Sequence, residues 1–335
     1  MPERYSRQIL FLGEEGQEKL RQSSIAIIGC GALGTVIAST LVRAGVGRVK
    51  IIDRDFIEYH NLHRQILFIE DDIKKGLPKA IAAERHLRRI NSEIEIEGVV
   101  ADVNYSNIEN LVDGVDLLLD ALDNFETRLL INDVTLKHKI PWIYGGVISS
   151  LGMTKNFLPG ETPCFRCTVP NLPEPGTVAT CDTAGVLNTA PFIIGSLQAT
   201  AAINILIGGE KIDHDLVVID VWTREFWRTP DGGFRKDCPA CQGRYEFLER
   251  RYGVRTTSLC GQNAVQVINP EIKKISLEQL ASKLKSVGEV KANEFMLRFH
   301  VDHHEMVIFP DGRAIIKNTH DESEAKGLYA KYIGM

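Results

Sequence analysis

This 335-residue chain lacks a strong charge of either sign, a uniform apolar run of membrane length and a dense cysteine framework. Each lack removes a class of function. A net charge of -5 gives no global pull towards nucleic acid or an anionic membrane, so any basic site must be local. The opening MPERYSRQIL has no apolar core of the secretory kind, which predicts a cytoplasmic protein. Seven cysteines without such a signal predict metal or thiol chemistry in a reducing compartment rather than disulfides. The most apolar stretch, 184–208, is interrupted by Asn188, Thr189, Pro191, Ser196, Gln198 and Asn204. It therefore reads as a buried or subunit-interface helix, with no membrane partner expected.

Over the first 150 residues short β-branched runs alternate with amphipathic helical stretches. That is the pattern of an α/β fold, a mostly parallel sheet with helices on both faces. Strands are predicted at 24–28, 49–53, 94–100, 115–120 and 141–147, with helices at 32–44 and 124–139. Pro, Gly and Thr enrich 159–183, which predicts a mobile loop centred on 168–183. The large domain is expected to span 1–255. Residues 256–335 read as a small α+β domain with a helix at 277–284 and strands at 297–301, 306–309 and 313–317. Pro310-Asp311-Gly312 is a hairpin turn signal, and Asp321 with Glu324 three residues on has capping-box spacing.

Gly29, Gly31 and Gly34 form a GxGxxG run that follows a strand and opens a helix. Such glycines allow a tight turn and close approach of backbone N–H groups to phosphate. Asp53 ends the next strand, where a carboxylate can accept from ribose hydroxyls. The fingerprint makes a Rossmann-like nucleotide site but does not choose between NAD and ATP. Asn61, Arg64, Gln65 and Lys79 follow on the side where ligands sit in open α/β sheets. A triphosphate that loses pyrophosphate needs such fixed cations and usually Mg²⁺, for which Asp123 is well placed. Singly, Arg64 and Lys79 could be solvated charges and Asp123 a helix cap.

Cys164 and Cys167, with Cys238 and Cys241, make two CxxC hooks about 70 residues apart, a set suited to closed tetrahedral Zn²⁺. Cys30 inside the glycine turn and Cys260 read as packed residues. Cys181, in the loop, is split evenly between a nucleophilic thiol and a bystander. His300, His303 and His304 cluster on or after a strand, and the spacing favours exposed histidines over a metal site.

RYSRQ, GCGALG, IIDRD, NLHRQ, LPKA and LDNFETR occur in one order, and over residues 3–245 the chain resembles the ThiF/MoeB family. That family is related to the adenylation domains of ubiquitin-activating enzymes. The resemblance implies that ATP is used to adenylate the C-terminal glycine carboxylate of a ubiquitin-like sulfur carrier ending in Gly-Gly. It implies ribose binding by Asp53, phosphate binding by Asn61, Arg64, Gln65 and Lys79, and Mg²⁺ at Asp123. It also implies a homodimer in which Arg7 reaches the other subunit's phosphates, and a role for Cys181 in sulfur transfer. The tail is too short for a rhodanese domain, so sulfur would come from a separate donor, a cysteine desulfurase or sulfurtransferase. A ThiS-like carrier is preferred to a MoaD-like one on the tail and Cys181. An NAD oxidoreductase would leave Asn61, Arg64, Lys79 and Asp123 without a task. A non-catalytic activating-enzyme subunit should have an eroded phosphate site, which this is not.

Overall fold

A computed structural model describes residues 3–170, 184–209, 211–249, 263–268 and 274–333, and the backbone of 255–259. The chain divides into two compact units, residues 1–250 and 251–335.

In the larger unit the elements run α1 (Ser6–Gln22), β1 (Ser24–Ile28), α2 (Ala32–Ala44), β2 (Arg48–Asp53), α3 (Glu70–Lys74), α4 (Lys79–Ile90) and β3 (Glu95–Val100). They continue α5 (Ile108–Leu111), β4 (Leu117–Asp120), α6 (Phe125–His138), β5 (Trp142–Ile148), β6 (Leu151–Phe157), α7 (Phe165–Thr168), α8 (Thr189–Ile207), β7 (Leu216–Asp220) and β8 (Glu225–Thr229). The eight strands form one sheet in the order β3-β2-β1-β4-β5-β6-β7-β8. β3 to β5 are parallel, and β6 to β8 add antiparallel neighbours.

β1 and β4 lie at the centre, so SIAII and LLLD are apolar on both faces; all four residues of β4 are buried. Strand order reverses between β1 and β4, and such a reversal opens a crevice at the C-terminal strand ends. The glycine turn after β1 and the Asp123 segment after β4 both lie there.

α8 is long and apolar enough to cross a membrane by length and composition. One face, including Ala190, Ile194, Gln198 and Ala202, is nevertheless buried in the protein. A Cβ at Gly195 would stand 2.9 Å from the Val36 side chain, so glycine lets α8 cross α2 closely. Gln198 Nε2 donates to the Asp120 carbonyl at 2.8 Å, a polar tie from the helix to the sheet.

Asp133 of α6 is buried and accepts from the Phe247 N–H at 2.8 Å. Burial outweighs these bonds and pushes its carboxyl up to about 6. The folded state therefore holds this proton longer than the unfolded chain does. Its contribution to stability is present at low pH and is lost as pH rises from about 4 through about 6. Asp133→Asn keeps an acceptor without the charge. The expected result in urea unfolding is a gain on the order of 2 kcal/mol at pH 7 relative to wild type, and little difference at pH 4. Equal effects at both pH values would remove Asp133 as the titrating group.

The smaller unit is an antiparallel sheet, β11-β12-β13-β14-β10-β9. Its strands are β9 (Arg255–Leu259), β10 (Ala264–Ile268), β11 (Glu289–Ala292), β12 (Leu297–Val301), β13 (His304–Ile308) and β14 (Ala314–Lys317). The helices α9 (Leu277–Leu284) and α10 (Glu322–Tyr332) share its core, in which Leu280, Phe299, Ile316 and Tyr329 are buried. Asp321 does cap α10, accepting from the Ser323 and Glu324 N–H groups. The reciprocal half of the box is absent: the Asp321 N–H donates to Thr319 Oγ1, and Thr319 holds the Glu324 carboxylate. The histidine expectation is corrected at one position. His300 and His303 are exposed, but His304 is buried because its strand register turns it inward.

Candidate functional site

The glycine turn is shaped by backbone contacts that no side chain could share. Gly29 has φ 98°, and a Cβ there would stand 2.5 Å from the Ala121 carbonyl oxygen. A Cβ on Gly34 would stand 2.1 Å from the Gly29 carbonyl oxygen, which closes α2 onto the turn. Gly31 differs: the nearest atom to its missing Cβ is Gln65 Nε2 at 3.9 Å. Packing does not demand glycine at 31, whereas close approach of a ligand to the N-terminus of α2 would. No side chain caps that helix end.

Asp53 closes the floor of the turn. Its carboxylate accepts from the Cys30 N–H at 2.6 Å and the Asp55 N–H at 2.7 Å. Burial pushes the carboxyl up while Lys79 beside it pulls it down. Lys79 Nζ lies 3.1 Å from Asp55 Oδ2. Burial disfavours the Lys79 charge, but Asp55 and Asp53 outweigh that and raise its pKa. The ammonium is thus a fixed cation at the crevice.

Asn61 is buried, and its Oδ1 accepts from the Glu58 N–H at 2.9 Å. That bond shapes the turn whose next residues are Arg64 and Gln65. Arg64 Nη1 donates to the His60 carbonyl at 2.7 Å. Gln65 is buried with Oε1 unpartnered. A buried amide with a spare valence beside Gly31 suits a polar ligand in the turn.

The cap of α6 is Asn124, whose Oδ1 accepts from the Thr127 N–H at 2.9 Å. Asp123 is therefore not the helix cap. It is exposed, and its charge helps to raise the pKa of Arg54, Lys79 and Arg128. The turn, Asp53, Lys79, Gln65 and Asp123 are thus gathered around one crevice. Arg7 is exposed on the first turn of α1, and among the described residues no hydrogen bond ties it to that crevice. Cys181 and Cys260 lie outside the described residues.

Two further arginines, Arg54 and Arg128, lie in the IIDRD and LDNFETR segments and carry no local signal of their role. Arg54 of IIDRD donates to Asp102 Oδ1 at 2.7 Å. Arg128 of LDNFETR donates from Nε to Asp120 Oδ2 at 2.9 Å, and from Nη2 to the carbonyls of Leu122 at 2.5 Å and Gly145 at 2.9 Å. Its guanidinium carbon also lies 4.9 Å from the Tyr144 ring centre. Burial opposes the Arg128 charge, and Asp120 more than restores it. Arg128 is a positioning residue: it fixes the β4–α6 turn on which Asp123 stands.

The cysteine hooks meet. Sγ separations are 3.6 Å for Cys164–Cys238, 3.8 Å for Cys164–Cys167, 3.6 Å for Cys167–Cys241 and 3.4 Å for Cys241–Cys164. Thiolates about 2.3 Å from a tetrahedral zinc stand about 3.8 Å from one another. Burial and neighbouring thiols push Cys164 well above its ordinary value, and burial pushes Cys241 up to about 11. A divalent cation would remove those protons and hold four thiolates together. Cys30 is fully buried, and burial raises its thiol too, which suits packing rather than reactivity.

Residues 5–240 match the ThiF family. The chain belongs to that family. It is 44% identical over 339 residues to the sulfur carrier protein ThiS adenylyltransferase of Bacillus subtilis (strain 168), covering 100% of both chains. It is 36% identical over 249 residues to a sulfur carrier protein adenylyltransferase of Thermus thermophilus, covering 71% of this chain and 90% of the relative. A solved structure of Escherichia coli MccB with ATP shares the fold, with TM-score 0.63 and 24% identity over 71% of this chain and 74% of MccB.

Proposed function

We propose that this ThiF-family chain is an ATP-dependent adenylyltransferase that activates the C-terminal glycine carboxylate of a ThiS-like sulfur carrier. The observation that carries the reading is the complete crevice: an open Gly31, Asp53 under the turn, and buried Lys79. The full-length likeness to a ThiS adenylyltransferase favours the ThiS-like carrier over a MoaD-like one.

In this reading the triphosphate lies on the N-terminus of α2. Asp53 exchanges its bonds to the turn for ribose hydroxyls, and Lys79 and Arg64 turn to the phosphates. Asn61 and Gln65 complete the phosphate cradle. Mg²⁺ at Asp123 would neutralise phosphate charge when bound. The carrier's carboxylate has an ordinary pKa near ~3.5, so it arrives ionised and no general base is needed. Its oxygen attacks the α-phosphorus, the bond to the bridging oxygen breaks, and pyrophosphate leaves with the electron pair. The chain's task is to align the two reactants and neutralise charge. Zn²⁺ in the cysteine tetrad would be structural, since no ligand position stays open. The proposed sulfur donor is a separate desulfurase or sulfurtransferase of the cytoplasm, and the Cys181 thiolate would attack the carrier's acyl-adenylate, forming a thioester as AMP leaves.

A homodimer with Arg7 acting in trans fits an otherwise unexplained surface. Leu10 and Phe11, just after Arg7 on α1, are 80% and 90% exposed. Ile193 on α8 is also exposed. Large apolar side chains so placed suit a second copy of the chain.

The test is ATP–pyrophosphate exchange with ThiS-like and MoaD-like carriers, each intact and lacking its last glycine. Exchange is expected with the intact ThiS-like carrier and lost with the shortened one. Faster exchange with the MoaD-like carrier would reassign the pathway, and none with either would refute adenylation.

A further inference from the structure

The smaller unit holds a side-chain cluster that adenylation does not use. β12 turns into β13 through Asp302 and His303, with Val301 paired to His304. Asp302 takes the left-handed conformation, φ 52°, and Asn318 Nδ2 donates to the His303 carbonyl at 2.7 Å. The tip is therefore pinned, and the two imidazole centres lie 4.0 Å apart. His304 is only 5% exposed, yet among the described residues neither ring nitrogen has a hydrogen-bond partner. Buried polar atoms in native folds are nearly always satisfied, so two orphans on one ring call for an explanation.

Glu324, on α10, supplies it. Its Oε1 lies 3.5 Å from His304 Nε2, too far for a good hydrogen bond. Its other oxygen accepts from Thr319 Oγ1, which in turn accepts from the Asp321 N–H. That chain aims the carboxylate as an outer-shell partner does at a metal centre. One ligand atom from each of His303, His304 and Glu324 lies within 4.8 Å of the others. Small rotations would bring all three to the roughly 2.0–2.2 Å bonds of a zinc-like ion.

We propose that His303, His304 and Glu324 bind a divalent transition cation of the Zn²⁺, Co²⁺ or Ni²⁺ class, separately from the cysteine tetrad. Two imidazoles and one carboxylate select such ions over Mg²⁺ and Ca²⁺. Three protein ligands leave room for water, and the ion would clamp the β12–β13 turn to α10. The neighbouring charges are otherwise engaged: Glu305 faces Lys317 at 3.5 Å and His300 at 3.8 Å.

The test uses the full chain, dialysed against chelator until only the tightly held tetrad metal remains, then titrated with Co²⁺. Wild type is expected to bind one added equivalent with visible d–d absorption and no thiolate charge-transfer band. His303→Ala and Glu324→Gln should each weaken that binding by about tenfold or more, with tetrad metal content unchanged. His303 is exposed, so its variant tests the ligand without opening the core. Added Co²⁺ should also slow amide exchange in α10 in wild type and not in the variants. Failure to bind an added equivalent, or affinity equal to wild type in both variants, would overturn the site and leave a metal-free contact between His304 and Glu324. Neither result depends on adenylation.

Discussion

Two inactive chains, one Arg7→Ala and one Lys79→Ala, are expected to recover about one quarter of wild-type exchange when mixed as dimers. The figure follows from symmetry. If Arg7 serves the other subunit's crevice while Lys79 serves its own, a mixed dimer has one site with both residues and one with neither. Random mixing makes about half of the dimers mixed, and half of their sites are whole. Alone, Arg7→Ala should lose about 10³–10⁵ in rate, the scale of arginines delivered in trans to transferring phosphoryl groups. Lys79→Ala should lose about 10²–10³, as for other fixed charge stabilisers. Lys79 is buried against Asp55, so loss of folding is a concern, but recovery in the mixture would itself show that both chains fold. The contrast in burial motivates the pairing of variants. Lys79 is built into its own crevice, whereas Arg7 is exposed beside Leu10 and Phe11 and, among the described residues, has no hydrogen bond to that crevice. Mixed dimers isolated with two different tags make the negative result decisive. If they form and stay inactive, Arg7 does not act in trans. If Arg7→Ala is active alone, it does not act on the phosphates at all.

What could be read from the sequence was whatever the backbone itself imposes. β1 and α2 match expectation because an apolar run and a glycine turn each leave a local mark; α6 lies within one residue of it too, although its cap is Asn124 and not Asp123. β6 and β8 left none. Their hairpins turn through Ser149 and Arg224, residues at φ 55° and 64° that carry no Asn-Gly signal. β8 is exposed along its whole length, so it shows no alternation. α1 is broken in the middle by Gly13, at φ 74°, so its helical pattern is not continuous along the sequence. The pairs Arg54–Asp102 and Asp120–Arg128 join residues 48 and eight positions apart, and nothing local distinguishes such an arginine from a solvated one. His304 shows the same limit. HVDHHE reads as an exposed polar turn until the register places one of its histidines in the core.

Cys238→Ser, or exhaustive chelation, is expected to release the tetrad metal and to loosen residues 235–249 before the sheet melts. That segment contains no helix or strand, so its order rests on few contacts. They include the hook at Cys238 and Cys241, the Arg166–Glu246 ion pair at 2.8 Å, and the Phe247 N–H on Asp133. The ion pair is partly exposed and contributes at most about 1 kcal/mol. A structural zinc is of another order, with apparent binding near ~10–16 kcal/mol in small zinc peptides. That is comparable with the whole stability of a domain, about 5–15 kcal/mol. Cys238 is fully buried and stands 3.6 Å from Cys164, so serine there leaves a weak ligand in a thiolate set. Hydrogen exchange should show protection lost first at 235–249 and in α7, which carries Cys167, with β1 and β4 protected until global unfolding. Proteolysis should cut in the same segment. If the protein binds no zinc as purified, the tetrad is a set of packed thiols; if zinc-free protein keeps full protection there, the metal does not order this segment. A closed tetrad has a kinetic signature as well. Once metal-free protein is reloaded, exchange should return together with protection, because the metal would act on order and not on the phosphoryl step.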